Sequence, residues 1–135
     1  MARKIMIIED YPATSEMIAN LMQMEGFETS IAADGATGVK KTIAEHPDLV
    51  LLDIMLPEMD GFEVCEKLKK NPATANIPII IVSVRVADEN IKKGQNLGAE
   101  AYVPKPFDPF KLVELVKKHL PPAPPAAPAA PAAPA

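Results

Sequence analysis

Short aliphatic segments and helix-like segments alternate along this chain, and the alternation restricts its fold more than any other feature of the sequence. Strands are predicted where aliphatic residues run together between turn residues, at 4–10, 27–33, 48–53, 77–83 and 99–105. Helices are predicted where apolar residues recur at helical spacing, at 14–26, 34–47, 61–71, 88–98 and 108–120. Five strand–helix units in this order predict an α/β fold, in which a parallel sheet has helices on both faces.

The end of the chain differs in composition from the rest. Positions 121–135 contain only proline and alanine and hold seven of the fifteen prolines. Because proline lacks a backbone N–H and fixes φ, this stretch cannot build a core and is expected to form an extended tail or linker. We therefore predict one folded domain over residues 1–120 and a Pro/Ala-rich tail over 121–135.

Charge and cysteine content exclude several classes of protein. The net charge of −4 argues against direct nucleic-acid binding, which needs a basic surface. The single cysteine, Cys65, permits neither an internal disulfide nor a cysteine-based metal cluster. The first aliphatic run reaches Glu9 after four apolar residues, which is too short for a signal peptide or a membrane span. We expect a cytoplasmic protein that does not bind membranes.

Polar side chains stand at the carboxyl ends of four predicted strands. Glu9 and Asp10 end the first strand, Asp53 the third, Ser83 the fourth and Lys105 the fifth. In an open parallel sheet these ends meet at one edge, where α/β folds bind their ligands. Polar residues often follow a buried strand for structural reasons alone, but the position of all five of these residues at carboxyl ends favours a common site.

The types of these side chains indicate which chemistry the site performs. Three carboxylates brought together repel one another unless a cation lies among them. A few oxygen ligands with room for water and phosphate suit Mg²⁺ better than Zn²⁺ or a Ca²⁺ cage made only of protein. Lys105 supplies a point charge for a phosphate oxygen, and a carboxylate can itself be the nucleophile and form an aspartyl phosphate. The set therefore predicts phosphoryl transfer with Mg²⁺ as cofactor.

Four motifs occur in a fixed order along residues 3–119. They are IIED (7–10), LLDIMLPEMDG (51–61), IIIVS (79–83) and YVPKPF (102–107). Any one of them alone is a weak signal, but together and at this spacing they closely resemble the receiver domain of two-component response regulators. The resemblance implies a flavodoxin-like (βα)5 fold, with a five-stranded parallel sheet of order 2-1-3-4-5 and helices on both faces.

Carried over position by position, the resemblance assigns roles to the polar residues. Asp53 resembles the phosphoacceptor and Lys105 the lysine that contacts the phosphoryl group. Asp10 and Asp53 resemble direct Mg²⁺ ligands, the Met55 backbone carbonyl resembles a further ligand, and Glu9 resembles a ligand that acts through a water molecule. Asp53, Lys105 and Ser83 form the expected catalytic set.

The resemblance also implies a conformational switch. Ser83 matches the hydroxyl that moves toward the phosphoryl group, and Tyr102 matches the aromatic residue whose ring then changes orientation. The Lys105–Pro106 bond is cis in the family, which is feasible because X–Pro bonds lose most of the trans preference. The surface expected to change is formed by the fourth helix, the fifth strand and the fifth helix.

The function implied is phosphorelay signal transduction. A sensor histidine kinase or phosphotransfer protein would supply the phosphoryl group from a phosphohistidine, and the changed surface would control a downstream output domain or protein partner, or form a homodimer. The domain would catalyse its own phosphorylation and slow dephosphorylation without being an ordinary turnover enzyme. The chain is compatible both with a stand-alone receiver and with one module of a longer protein.

Two departures from the commonest family pattern affect the site. Glu9 stands where aspartate is more usual, a mild change because an indirect ligand tolerates a longer side chain. Val84 follows Ser83 where alanine is more usual, and its β-branched side chain is expected to crowd the phosphoryl group and change the phosphate lifetime.

Two other functions remain open from the sequence. A non-phosphorylated scaffold or interaction domain would have no use for the full set of acids, serine and lysine. An aspartyl-phosphate hydrolase usually has a second aspartate two residues after the nucleophile, where this chain has Met55.

Outside the site, we expect Cys65 and the first-helix methionines Met17, Met22 and Met24 to pack in the core.

Overall fold

The computed structural model describes residues 3–120 as five strands and five helices in strict alternation. The strands are β1 (Lys4–Ile8), β2 (Glu28–Ala32), β3 (Leu49–Leu52), β4 (Ile79–Ser83) and β5 (Ala101–Pro104). The helices are α1 (Pro12–Met24), α2 (Gly35–Glu45), α3 (Gly61–Lys70), α4 (Asp88–Asn96) and α5 (Pro109–His119). None of these helices is both long and apolar enough to cross a membrane. The tail predicted at 121–135 lies outside the described residues, and its extended form stays a prediction.

The strands form one parallel sheet of order β2-β1-β3-β4-β5, which confirms the predicted α/β fold and strand order. All residues of β3 and β4 are buried, as expected for central strands that are covered on both faces. The chain order reverses between β1 and β3, and this is the point at which an open α/β sheet leaves a crevice for a ligand. Asp53 follows β3 directly at this crevice.

Helices cover both faces of the sheet. On one face, Ile18 and Met22 of α1 and Leu112 of α5 pack against the strands in a single buried cluster. On the other face, Phe62 and Leu68 of α3 belong to a second cluster, against which α2 and α4 also pack. Because each fully buried side chain of this size stabilises the fold by roughly 1.5–3 kcal/mol, the two layers hold the sheet firmly between them.

The strands end slightly earlier than the sequence predicts. β1 ends at Ile8 rather than at position 10, and β3 ends at Leu52 rather than at Asp53. The backbone remains anchored past these ends, since the Asp53 N–H still donates to the Ile8 carbonyl at 3.0 Å. The acidic residues therefore follow the hydrogen-bonded ladder instead of belonging to it, and their side chains turn toward the edge of the sheet.

The prediction that all three methionines of α1 fill the core is wrong for two of them. Met22 is completely buried, whereas Met17 is 50 % exposed and Met24 is 82 % exposed. Helix geometry explains the difference, because Met22 lies four residues after the buried Ile18 and shares its face. Met24 lies two residues further along, which places it on the opposite side of the helix.

The prediction that Cys65 packs in the core is confirmed, since this side chain has no exposed surface. Burial raises the pKa of the Cys65 thiol to about 11, so almost no thiolate is present at neutral pH. We therefore expect a thiol reagent at pH 7.5 to label the native protein at least about 100-fold more slowly than the protein unfolded in guanidinium. Equal labelling rates would contradict the buried position of Cys65.

Candidate functional site

The structure brings the polar residues from the ends of β1, β3 and β5 into one cluster. One carboxylate oxygen from each of Glu9, Asp10 and Asp53 lies within 4.8 Å of the others. The Lys105 ammonium lies between two of them, 2.5 Å from Glu9 Oε1 and 3.0 Å from Asp53 Oδ2. Ser83 ends β4, which pairs with β3, and is fully buried. The five residues selected from the sequence therefore share one edge of the sheet.

Asp53 is held at the mouth of the crevice by contacts to both of its side-chain oxygens. Oδ1 accepts the backbone N–H of Met55 at 3.1 Å, and Oδ2 accepts a hydrogen bond from Lys105. The residue is only 6 % exposed, although it remains next to the exposed Asp10. The carboxylate is thus oriented by its neighbours and lies close to solvent at the same time.

The loop after Asp53 depends on Gly61, for which the sequence alone predicts no role. The N–H of Gly61 donates to the Ile54 carbonyl at 2.8 Å, which folds the start of α3 back over the end of β3. A Cβ atom at this position would lie 2.2 Å from the Asp53 carbonyl oxygen and 2.6 Å from Ile54 Cα. Asp60 caps the same helix by accepting the Glu63 N–H at 3.0 Å. The Asp-Gly pair suggests a turn in sequence, but the close backbone approach appears only in three dimensions.

Lys105 and Glu9 form a close ion pair. Burial raises the pKa of the Glu9 carboxyl; the Lys105 hydrogen bond opposes this rise, and the negative charge of Asp53 adds to it. Burial alone would lower the pKa of the Lys105 ammonium, but its hydrogen bonds to Glu9 and Asp53 outweigh burial and raise that pKa. Lys105 is therefore fully protonated at neutral pH and offsets part of the negative charge of the cluster.

The donor set of the cluster fits a hard divalent cation. All three side chains offer carboxylate oxygens, the ligands that Mg²⁺ prefers. An octahedral Mg²⁺ ion with oxygen ligands at about 2.1 Å spans at most about 4.2 Å between ligands, and oxygens that all lie within 4.8 Å of one another are near enough to share such an ion. Three carboxylates and one ammonium leave an excess of negative charge for such a cation to neutralise.

The two predicted switch residues are linked through the loop after β4. The Ser83 hydroxyl accepts the backbone N–H of Arg85 at 3.2 Å, and the Tyr102 hydroxyl donates to the Arg85 carbonyl. Burial raises the pKa of the Tyr102 phenol, so the hydroxyl keeps its proton for this contact. The ring lies against Gly94 of α4, where an added Cβ would be 3.3 Å from the ring. Arg85 had no predicted role, because its contacts use only backbone atoms.

Two surface grooves border the site. One is lined by Asp10, Met55 and Arg85, and the other by Val84 and Lys105. Both Met55 and Val84 are about half exposed, so they stand at the entrance to the site and not inside it. The crowding expected from Val84 stays a prediction. The Lys105–Pro106 peptide bond, which lies in the loop between β5 and α5, is cis, as the resemblance implies.

Comparisons with known proteins agree with this arrangement. The family model of the response regulator receiver domain matches residues 5–117. The DNA-binding dual master transcriptional regulator RpaA of Synechocystis is 35% identical over 114 residues, which cover 84% of this chain and 47% of RpaA. The DNA-binding response regulator MtrA of Mycolicibacterium smegmatis is 36% identical over 120 residues, covering 89% of this chain and 51% of MtrA. The chain thus spans about half the length of the curated relatives it matches.

The fold comparison leads to the same family. The crystal structure of a CheY-like response regulator receiver domain protein from Methanospirillum hungatei superimposes with a TM-score of 0.83 at 34% sequence identity. The matched region covers 87% of this chain and 93% of that protein. These findings do not favour the scaffold or the hydrolase considered from the sequence. The chain belongs to the response regulator receiver domain family, whose domains serve in two-component phosphorelay signalling.

Proposed function

We propose that Asp53 is the residue that accepts the phosphoryl group in this receiver domain. The observation that carries the proposal is the position of its carboxylate at the switch point of the sheet, with Lys105 on Oδ2 and two further carboxylates within 4.8 Å. A nucleophile needs such an orientation, because a reacting atom held in place avoids most of the entropic cost of the reaction.

The proposed reaction is an in-line displacement. An Asp53 carboxylate oxygen attacks the phosphorus of a phosphohistidine on a sensor histidine kinase or a phosphotransfer protein. The new P–O bond forms as the P–N bond breaks, and the electron pair of that bond stays on the imidazole nitrogen. The Lys105 ammonium, already 3.0 Å from Asp53, is placed to stabilise the charge on the transferred phosphoryl oxygens.

Mg²⁺ is the proposed cofactor. Asp10 and Asp53 would hold it directly, the Met55 backbone carbonyl would be a further ligand, and Glu9 would act through a water molecule. When bound, the ion neutralises the phosphoryl oxygens and the carboxylates that surround them. The oxygen-only donor set and its excess negative charge support this assignment.

Ser83 and Tyr102 are the proposed switch. A phosphoryl group on Asp53 adds a charge of about −1.5 to −2 and offers strong acceptor oxygens to the Ser83 hydroxyl. Ser83 and Tyr102 both bond to the Arg85 backbone, so a turn of the Ser83 hydroxyl toward the phosphoryl group would draw it away from the Arg85 N–H, loosen the loop and allow the ring to reorient. The surface formed by α4, β5 and α5 would change with it, provided that two packings lie within a few kcal/mol of each other.

This changed surface is proposed to control an output domain or a protein partner, or to form a homodimer. The named relatives are DNA-binding regulators of about twice the length of the matched region, so an output domain beyond the receiver fits their size. The net charge of −4 makes direct nucleic-acid contact by the receiver itself unfavourable. We also propose that the protein is located in the cytoplasm.

The proposal is tested by incubating the protein with a small phosphodonor such as acetyl phosphate and measuring its intact mass. We expect a gain of one phosphoryl group when Mg²⁺ is present, because the cation and Lys105 together offset the charge on the donor. Removing Mg²⁺ with EDTA is expected to slow the gain at least about 100-fold. Equal phosphorylation with and without Mg²⁺ would contradict the proposed cofactor, and continuous phosphodonor hydrolysis without an adduct would favour a hydrolase.

A further inference from the structure

An apolar groove follows one face of α1, away from the acidic cluster. Met17, Leu21 and Met24 line it at helical spacing, and Phe107 and Pro109 complete it next to the start of α5. Its lining residues on α1 span about 16 Å along the helix axis. Met17 is 50 % exposed and Met24 is 82 % exposed, so none of residues 3–120 covers this part of the groove.

The segment that follows α5 has the composition and the period of an occupant for this groove. Residues 121–135 are all proline or alanine, so they bring no side-chain charge to an apolar surface. Within this segment, prolines recur at every third position, namely Pro122, Pro125, Pro128, Pro131 and Pro134. A polyproline II helix has three residues per turn, so this spacing predicts a stripe of prolines along one side, about 9.3 Å apart.

We propose that the Pro/Ala tail, residues 121–135, folds back over the groove and packs its proline stripe against Met17 and Met24. These methionines are seven residues apart on α1, or about 10.5 Å along the helix axis, which is close to one step of the stripe. Methionine adapts its shape to an apolar partner, and a polyproline II segment loses little conformational entropy when it docks. Asn20 also lines the groove, and its amide can donate to a tail carbonyl, which has no partner within a polyproline II helix.

The chain leaves α5 close to one end of the groove. Leu120 has φ −63° and ψ 135°, which are polyproline II values and not helical ones. Its side chain packs in the same buried cluster as Met22 of α1, and Lys117 of α5 pairs with Glu25, the residue after Met24, at 2.7 Å. At about 3.1 Å per residue, six tail residues cover the groove, and the others bridge the gap from Leu120. The tether also gives the tail a local concentration on the order of millimolar, which favours it over a separate molecule.

Oxidation of methionine by hydrogen peroxide tests the proposal, because the reaction requires access to the sulfur atom. The control protein has a tail with the same prolines and alanines in an order that breaks the three-residue spacing. We expect Met17 and Met24 to oxidise about threefold more slowly in the parent chain than in the control, a factor that corresponds to a groove covered about two thirds of the time. Met55, which is 47 % exposed in the loop after β3, should react at the same rate in both proteins. Mass spectrometry of the peptides gives the rate at each site.

A nitroxide on the tail gives a second readout. Cys65 is buried, and burial raises the pKa of its thiol to about 11, so a thiol reagent labels an Ala130→Cys variant at the new cysteine. We expect the label to broaden the methyl signals of Met17 and Met24 more than the same label on the rearranged tail, which measures the effect of the tether alone. The methyl signal of Met55 should be unaffected by either label.

Protection of both α1 methionines that needs the ordered prolines and is independent of protein concentration supports the proposal. Equal oxidation rates with the two tails, or equal broadening by the two labels, overturns it. Protection that grows with protein concentration also overturns it, because the groove is then covered by a second copy of the chain. Both measurements use protein without phosphodonor, so their outcome does not depend on whether Asp53 accepts a phosphoryl group.

Discussion

Replacing Asp53 with asparagine is expected to reduce phosphorylation by acetyl phosphate at least about 100-fold. Asparagine has nearly the same shape and can still accept the Met55 N–H, but its amide oxygen is a poor nucleophile and carries no charge. Lys105 keeps Glu9 as a partner in the variant, so the fold should be preserved. Intact-mass measurement over a time course with Mg²⁺ gives the rate directly.

Asp48→Asn is the matched control for this substitution. Asp48 precedes β3, at the end opposite to Asp53, where its side chain accepts the backbone N–H of Lys4 at 2.8 Å. We expect this variant to form the adduct at the rate of the parent protein, because the change lies far from the acidic cluster. Phosphorylation of the Asp53→Asn variant at an undiminished rate would mean that another residue is the acceptor.

Gly61→Ala is expected to lower the free energy of unfolding by about 3 kcal/mol and the melting temperature by on the order of 10 °C. The new Cβ would lie 2.2 Å from the Asp53 carbonyl oxygen and 2.6 Å from Ile54 Cα. Both atoms belong to the backbone, so they cannot move aside as the end of a flexible side chain can. The end of β3 must shift, and we expect phosphorylation to slow as well, because Asp53 moves with it.

Gly26→Ala separates this steric effect from the ordinary cost of replacing a glycine. Gly26 follows α1 with a φ of 91°, and an added Cβ would have no atom within 4 Å. The substitution should cost about 1 kcal/mol through backbone strain alone and leave phosphorylation unchanged. Similar losses of stability in the two variants, measured by denaturant unfolding, would show that the contact with the end of β3 is not what makes Gly61 necessary.

The predictable part of the fold came from features that do not depend on exact atomic positions. Alternating aliphatic runs and helical patterns were enough for the α/β class, while the order 2-1-3-4-5 was implied by the four motifs. The sequence predicts ends for β1 and β3 at Asp10 and Asp53, later than in the structure, because a charged residue after an aliphatic run does not reveal where the strand hydrogen bonds stop. The apolar character of methionine predicts core positions for Met17 and Met24, whereas their exposure depends on the orientation of the helix.

The residues that form the site can be predicted from the sequence, but the contacts between their side chains cannot. Strand ends bring Asp10, Asp53 and Lys105 to one edge whatever the details of packing, so sequence position alone was sufficient. The 2.5 Å contact between Lys105 and Glu9 depends on the reach of two side chains from two separated strands, which no sequence pattern encodes. The need for a glycine at position 61 is likewise not encoded in a sequence pattern, because it arises where two backbone segments approach each other.

The most direct test of the account identifies the phosphorylated atom itself. Borohydride reduces an aspartyl phosphate to homoserine, so treating the phosphorylated protein and sequencing its peptides by mass spectrometry marks the acceptor permanently. We expect homoserine at position 53 and at no other aspartate, formed at least about 100-fold more slowly when Mg²⁺ is removed before the phosphodonor is added. Homoserine at position 10 or elsewhere, or an adduct that borohydride does not convert, would contradict it.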